Sequence, residues 1–231
     1  CNVEEIQRIA DRYNLKVIYD AAHAFGERYL DKGVGNFGDI SIFSFHATKV
    51  FNTIEGGAVV CKDEKMYMKL RDLKNFGIRG EELVASIGAN RSDEFCAIMG
   101  LLNIKSFDDA VRDRKRVYER YQSGLDGNNR ITFYESKKEV QRNYGYLPIK
   151  LDSMDLRDNI YEYLKSNDIF SRKYFYPLTA DQACFKNKYK ESHLPKAREL
   201  SKQSLVLPLY EGLKDEDIDR ICELIIRKCE R

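Results

Sequence analysis

The feature that most restricts how this chain can fold is the largely apolar run Leu15-Lys16-Val17-Ile18-Tyr19, which stops at Asp20 and is followed by Ala21-Ala22-His23. The run alternates poorly between apolar and polar residues, the pattern of a strand buried in a parallel sheet. In an open α/β sheet, ligands sit beyond the carboxyl ends of the strands, which is where Asp20 falls. A second strand is expected over Ile40 to Phe45, where Ile, Ser, Ile, Phe, Ser and Phe succeed one another, and Lys49 follows on the turn. Gly56-Gly57 then gives the backbone freedom that a tight turn needs, ahead of a third strand, Gly57 to Cys61.

A lysine that forms a Schiff base needs a strand-end or turn position with a hydroxyl nearby for a phosphate, and the ring nitrogen of pyridoxal phosphate (PLP) needs an anionic partner. Lys49, Ser44 and Asp20 are the right chemical types for those three tasks. The series Asp20-Ala21-Ala22-His23, Gly38-Asp39-Ile40, Ser44-Phe45-His46-Ala47-Thr48-Lys49 and Glu55-Gly56-Gly57 resembles, in order and spacing, the DegT/DnrJ/EryC1/StrS family of sugar aminotransferases. Within that family the segment Ser44 to Thr53 is most similar to the branch acting on nucleotide-linked keto-6-deoxyhexoses.

The resemblance implies an α/β fold of the aspartate-aminotransferase type (PLP fold type I), a three-layer sheet incomplete at its N-terminus, with a smaller α+β C-terminal domain. Residues 1–107 would form the C-terminal part of the large PLP-binding domain, 108–127 a connecting helix and 128–231 the small domain. It implies that the Gly57–Cys61 strand is antiparallel to its neighbour. It also implies that a family segment carrying a phosphate-binding turn and a ring-stacking aromatic precedes this point, so a piece of a longer enzyme is expected.

Residue by residue, Lys49 would carry the Schiff base and shuttle a proton between the donor's Cα and the cofactor. The alternative is an ordinary solvated lysine. Asp20 would face the pyridinium nitrogen, against the alternative of a helix cap after a strand. His23 would hydrogen-bond the cofactor's 3′-oxygen, with a structural histidine as its rival, and Ser44 would reach the phosphate. His46 is assigned no chemical role. Asn90, in Gly88-Ala89-Asn90, matches the family asparagine that reaches the cofactor phosphate in the partner subunit, which implies a homodimer with shared sites. The following Arg91-Ser92-Asp93-Glu94 is one residue short of the family pattern. Arg172 and Tyr174 resemble the small-domain segment facing substrate, where an arginine fork could meet a carboxylate or phosphates. An edge strand closed by Pro177 is the competing reading.

Composition excludes other classes. A net charge of +2 over 231 residues gives no footprint for nucleic acid or membrane surfaces. No apolar run approaches the roughly 18 residues a bilayer span needs, and a cytoplasmic location is expected. The cysteines, Cys1, Cys61, Cys96, Cys184, Cys222 and Cys229, show no metal-ligand spacing and read as free thiols.

Elsewhere, helices are expected over Val3 to Tyr13, Asp63 to Asn75 with Asp63 near its N-cap, Glu94 to Phe107, Asp108 to Leu125, Asp155 to Asn167, Leu194 to Gln203 and Asp215 to Lys228. Strands are expected over Tyr144 to Leu151 and Leu205 to Leu209, with a hairpin or loop at Gly26 to Gly38 and a loop at Gly77 to Gly88. The expected function is transfer of an amino group from an amino acid, by resemblance glutamate, to a nucleotide-linked keto-deoxysugar. Rival readings are a non-catalytic dimerisation or regulatory fragment of the same fold, a PLP-dependent sugar dehydratase, in which the lysine is commonly a histidine, and a PLP-free lysine enzyme, which would leave Asp20 and Ser44 without a purpose.

Overall fold

The structure, a computed structural model, describes residues 1–85, 94–185 and 194–230. In chain order the elements begin with helix α1 (Val3–Tyr13) and strands β1 (Ile18–Asp20), β2 (Arg28–Tyr29) and β3 (Lys32–Gly33). They continue with β4 (Ile40–Ser44), β5 (Gly57–Cys61), α2 (Glu64–Lys74), β6 (Ile78–Arg79), β7 (Glu82–Leu83) and the long α3 (Glu94–Leu125). Then come β8 (Ile131–Phe133), β9 (Val140–Gln141), β10 (Leu147–Leu151), α4 (Met154–Lys165), α5 (Pro195–Gln203), β11 (Ser204–Leu207) and α6 (Asp215–Cys229).

The chain divides into two units: residues 1–111 with 137–145, and residues 112–136 with 146–231. In the first, the described strands β1-β4-β5 form a sheet in that order, β1 parallel to β4 and β5 antiparallel to it. A second sheet has the order β3-β2-β9, and β6 pairs with β7. Five rings, Phe25, Phe43, Phe45, Phe51 and Phe107, form the aromatic centre of this unit. Phe25 stacks on Phe51 at 4.3 Å and meets Phe43, Phe45 and Phe107 edge-on, the offset and T-shaped arrangements that ring quadrupoles favour. Gly26 is required here: its φ is +79°, and a Cβ would come within 2.3 Å of the Phe107 ring. The sheet leaves Ile18, Ile42, Val59 and Val60 exposed, as α3 leaves Phe95, Ile98 and Leu101.

β1 is shorter and more exposed than its apolar sequence predicts. Asn14 ends α1 in the left-handed conformation, and Leu15 N–H still donates to Ala10 O at 2.8 Å, so Leu15 belongs to the helix end. At Val17 the Asp39 carboxylate takes the place of a neighbouring strand, accepting from Val17 N–H at 2.8 Å while Lys16 Nζ donates to it at 3.0 Å. The two helices expected over Glu94 to Phe107 and Asp108 to Leu125 are one helix of 32 residues, α3. Asp63 does cap α2, accepting from Met66 N–H at 2.7 Å. Cys96, Cys222 and Cys229 are buried, and the cysteines are free thiols.

The second unit is a closed layer of sheet and helices. Its antiparallel sheet has the order β11-β10-β8. β10 alternates strictly, with Leu147, Ile149 and Leu151 buried, as a sheet with one covered face requires. Ile160 and Leu164 of α4 and Ile218, Ile221 and Ile225 of α6 complete that core. Arg120 of α3 makes a bidentate pair with Asp219 of α6 at 2.9 and 2.6 Å, with both side chains well exposed. Burial should therefore dominate stability in this unit. Ile160→Ala is expected to cost about 2–5 kcal/mol through lost transfer energy and a cavity, whereas Arg120→Ala, which removes an exposed and solvent-screened pair, should cost far less. Urea unfolding of the two variants measures the difference.

Candidate active site

Two backbone facts bring the candidate residues to one place. β1 and β4 run in the same direction with Asp20 opposite Ile42, and the ladder extends one bond further, from Ala21 N–H to Ile42 O at 2.9 Å. The carboxyl ends of both strands therefore lie together, with Asp20 on one and Ser44 on the other. Beyond β1 the chain turns at once: Ala24 N–H donates to Ala21 O and Glu27 N–H to Ala24 O. Asp20 Oδ1 accepts from Ala22 N–H at 3.0 Å, which holds the carboxylate over the start of this turn.

Beyond β4, Phe45 both donates to Gly56 O and accepts from Thr53 N–H, each at 2.8 Å, closing a loop over residues 45–56. Within it, Lys49 N–H donates to His46 O at 2.9 Å. His46 Nδ1 accepts from Thr48 N–H at 3.2 Å, and its exposed ring approaches Glu55 at 3.6 Å. Asn103 of α3 pins the same loop by donating to Asn52 O at 2.9 Å. Gly56 is forced: a Cβ there would fall 2.3 Å from Thr53 Oγ1.

The two turns meet at Lys49 and His23, whose Nζ and Nδ1 lie 3.1 Å apart. With Lys49 an ammonium, Nζ donates and Nδ1 accepts, which puts the imidazole proton on Nε2. Loss of water around the ring, then the Lys49 charge, push the His23 pKa below its ordinary 6.5, while Asp20 pulls in the opposite direction. A carboxylate and an amine thus both act on one imidazole at the strand ends, with the Ser44 hydroxyl ending the adjacent strand.

The profile of the DegT/DnrJ/EryC1/StrS aminotransferase family matches residues 1–226. The chain belongs to this family. It is 39% identical over 229 residues to the dTDP-4-amino-4,6-dideoxy-D-glucose transaminase of Shigella dysenteriae, a match covering 97% of this chain and 62% of the relative. Identity to the GDP-perosamine synthase of Escherichia coli O157:H7 is 32%, over 97% of this chain and 61% of that protein. Among solved structures, DesI in the presence of its TDP-sugar product superposes with a TM-score of 0.91 at 29% identity, covering all of this chain and 60% of that one. The PLP form of Spr1654 from Streptococcus pneumoniae gives 0.92 at 25% identity, covering all of this chain and 65% of that one. The chain therefore has the fold type I architecture of these enzymes, and it spans about three-fifths of the length of the curated relatives it matches.

Against this family background, the sequence-predicted residues sort clearly. Asp20, His23, Ser44 and Lys49 lie at the ends of β1 and β4 or on the turns that follow. Asn90 lies outside the described residues. Arg172 and Tyr174 belong to the second unit, where they meet each other: the Arg172 guanidinium donates to the Tyr174 hydroxyl, and Tyr174 stacks on Phe175 at 4.7 Å. The Phe170 to Tyr176 segment is not a regular strand. Its pairing is a single bridge, Arg172 with Val206.

Three supporting residues were not assigned from sequence. Asp39 sits in the quoted Gly38-Asp39-Ile40 series, and its bonds from Val17 N–H and Lys16 hold its carboxyl below the usual range. Asn103 and Asn143 lie in segments without any motif, and no local signal marks them.

The charges around His23 make a three-way test. In a histidine-ring NMR titration, the His23 midpoint should lie below 6.5, the ring being neutral above it. Lys49→Met should raise the midpoint by removing a cation, and Asp20→Asn should lower it further by removing the anion. Equal midpoints in all three chains would mean that these groups do not interact.

Proposed function

We propose that this chain carries the lysine side of a PLP-dependent aminotransferase site that moves an amino group from an amino acid, glutamate, to a nucleotide-linked keto-deoxysugar. The observation that carries this reading is the 3.1 Å approach of Lys49 Nζ to His23 Nδ1 at the shared carboxyl end of β1 and β4, beside Asp20. The donor set fits PLP: an amine for its aldehyde, a carboxylate for its ring nitrogen, an imidazole for its phenolic oxygen and a hydroxyl for its phosphate. When bound, PLP supplies the aldehyde that holds an amine and the protonated ring that accepts the electron pair left when the donor's Cα–H bond breaks.

The protein's share of the work follows from position. Lys49 would hold the group through Nζ and, once its amine is free, would carry a proton from and back to the donor's carbon. Asp20 would face the ring nitrogen and favour its protonated form, and His23 would orient the ring through its oxygen. Ser44 would donate to the phosphate. In this reading Arg172 and Tyr174 serve the substrate's carboxylate or phosphates, and Asn90 reaches the phosphate of a second copy, so that the working unit is a cytoplasmic homodimer with shared sites. The relatives' names, transaminases of dTDP-linked and synthases of GDP-linked amino sugars, support the nucleotide-sugar class.

Borohydride reduction of the chain incubated with PLP, followed by peptide mass spectrometry, is the deciding experiment. The pyridoxyl mass is expected on Lys49 and absent from Lys49→Ala. Label scattered over other lysines with Lys49 unmodified would sink the reading. Asp20→Ala should weaken PLP binding roughly 10- to 150-fold, the loss of a hydrogen bond to a charged group worth about 1.5–3 kcal/mol. Transfer itself is read by 2-oxoglutarate formation from glutamate with the keto-sugar present.

A further inference from the structure

Residues 137–145 belong to the first unit, although the chain on both sides of them belongs to the second. Their strand, β9, pairs antiparallel with β2, placing Gln141 opposite Arg28 and Val140 opposite Tyr29, and Leu30 N–H donates to Glu139 O at 3.0 Å. Immediately after β9, the side chain of Asn143 is buried, with 4% of the residue's surface exposed. Its Nδ2 donates to His23 O at 2.8 Å and to Phe25 O at 3.0 Å, and its Oδ1 accepts from Gly145 N–H at 2.9 Å. Both amide hydrogens are thereby used, and both hold the backbone of the turn that presents His23. The Asn143 N–H lies 3.5 Å from the Glu27 carboxylate at the end of that turn.

The same short segment also touches the other turn. A Cβ on Gly145 would lie 3.4 Å from Val50 Cγ2 and 3.2 Å from Asn143 Oδ1, so this glycine runs against the residue that follows Lys49. Asn143 to Gly145 therefore contact both the His23 turn and the Lys49 turn, the two pieces of chain whose side chains meet at 3.1 Å.

We propose that Asn143 is a positioning residue of the candidate site: its carboxamide fixes the 21–27 turn so that the His23 ring stays within hydrogen-bonding distance of Lys49 Nζ. The proposal rests on the reading of His23 and Lys49 as functional partners, but its test uses neither cofactor nor substrate. A failure of PLP to bind would therefore count against the proposed function without changing what the His23 signals say about Asn143. A purely structural role, tying β9 to the unit, predicts lost stability and an unaltered His23.

The chain has three histidines, which makes their ring-nitrogen NMR signals separable. Asp20 and Lys49 bear on His23, and Glu27 and Arg142 flank Asn143. In Asn143→Ala the turn loses both its donors, and in Asn143→Asp the acceptor for Gly145 N–H survives while the two donors are gone. Both variants are expected to shift the His23 Nδ1 resonance and move its titration midpoint up toward 6.5, with His46 unchanged as the internal reference. An unmoved His23 in a folded variant, or His23 and His46 moving together, would overturn the proposal. Should neither variant fold, the unaltered chain decides. Two distinct, slowly exchanging Nδ2 protons on Asn143 are expected, and a single averaged, fast-exchanging signal would overturn the proposal.

Discussion

Everything at the candidate site depends on the parallel pairing of β1 with β4. Parallel pairing is what brings two carboxyl ends to the same edge, and with them a carboxylate on one strand and a hydroxyl on the next, followed by the lysine turn. An antiparallel pair would have sent Asp20 and Lys49 to opposite ends. Register matters as much as direction, because a slip of one residue would turn every side chain of β1 to the other face. The Asp39 carboxylate guards against that slip by binding Val17 N–H where the ladder would otherwise be free to slide. Gly38 allows the approach: its φ is +68°, and a Cβ would come within 2.8 Å of the Tyr19 ring.

The two units achieve order by different physical means. The second buries the alternate side chains of β10 under α4 and α6 and draws its stability from a closed apolar core. The first keeps Ile18, Ile42 and Val59 exposed on its main sheet, while the turns at its strand ends send Phe25, Phe45 and Phe51 into one ring cluster. Polar side chains bonded to backbone add direction to that packing. Asp20 holds Ala22, Asn103 holds Asn52, and Asn143 holds His23 and Phe25. Each such bond is worth only about 0.5–1.5 kcal/mol net, yet its geometry is directional, and direction is what two side chains meeting at 3.1 Å require.

What could be read in the sequence was whatever is encoded locally. The apolar run ending at Asp20, the alternation of Ile40 to Phe45 and the Gly56-Gly57 turn located the sheet and the candidate site, because strand period and turn chemistry act over a few residues. Asp63 was legible as a cap for the same reason. β1 was read too long because Asn14 and Leu15 are spent on the end of α1 and Asp39 takes the pairing position at Val17, a bond across 22 residues. α3 was read as two helices because its pattern passes from apolar to charged near Asp108, a change of surroundings without a change of backbone. Asn143 was invisible: it lies in the polar stretch Arg142-Asn143-Tyr144-Gly145, and its partners are 118 and 120 residues earlier.

The chemical type of these supports carries its own logic. Lys49 and Asp20 both act on the proton affinity of His23, so a further charge placed beside the ring would move it again. A carboxamide offers two donors and an acceptor with no net charge. It can hold a carbonyl in place without adding a charge to the field around Lys49 and His23. Asn103 holds the lysine loop through Asn52, and Asn143 holds the histidine turn, so the backbone on both sides of the 3.1 Å contact is fixed by neutral groups. Two carboxylates also bind backbone: Asp20 holds Ala22 N–H within the candidate site, and Asp39 acts at the amino end of β4, away from Ser44 and Lys49, where Lys16 answers its charge. The added charge of Asp39 is thus kept at the far end of the strand, and next to the 3.1 Å contact the added supports are neutral.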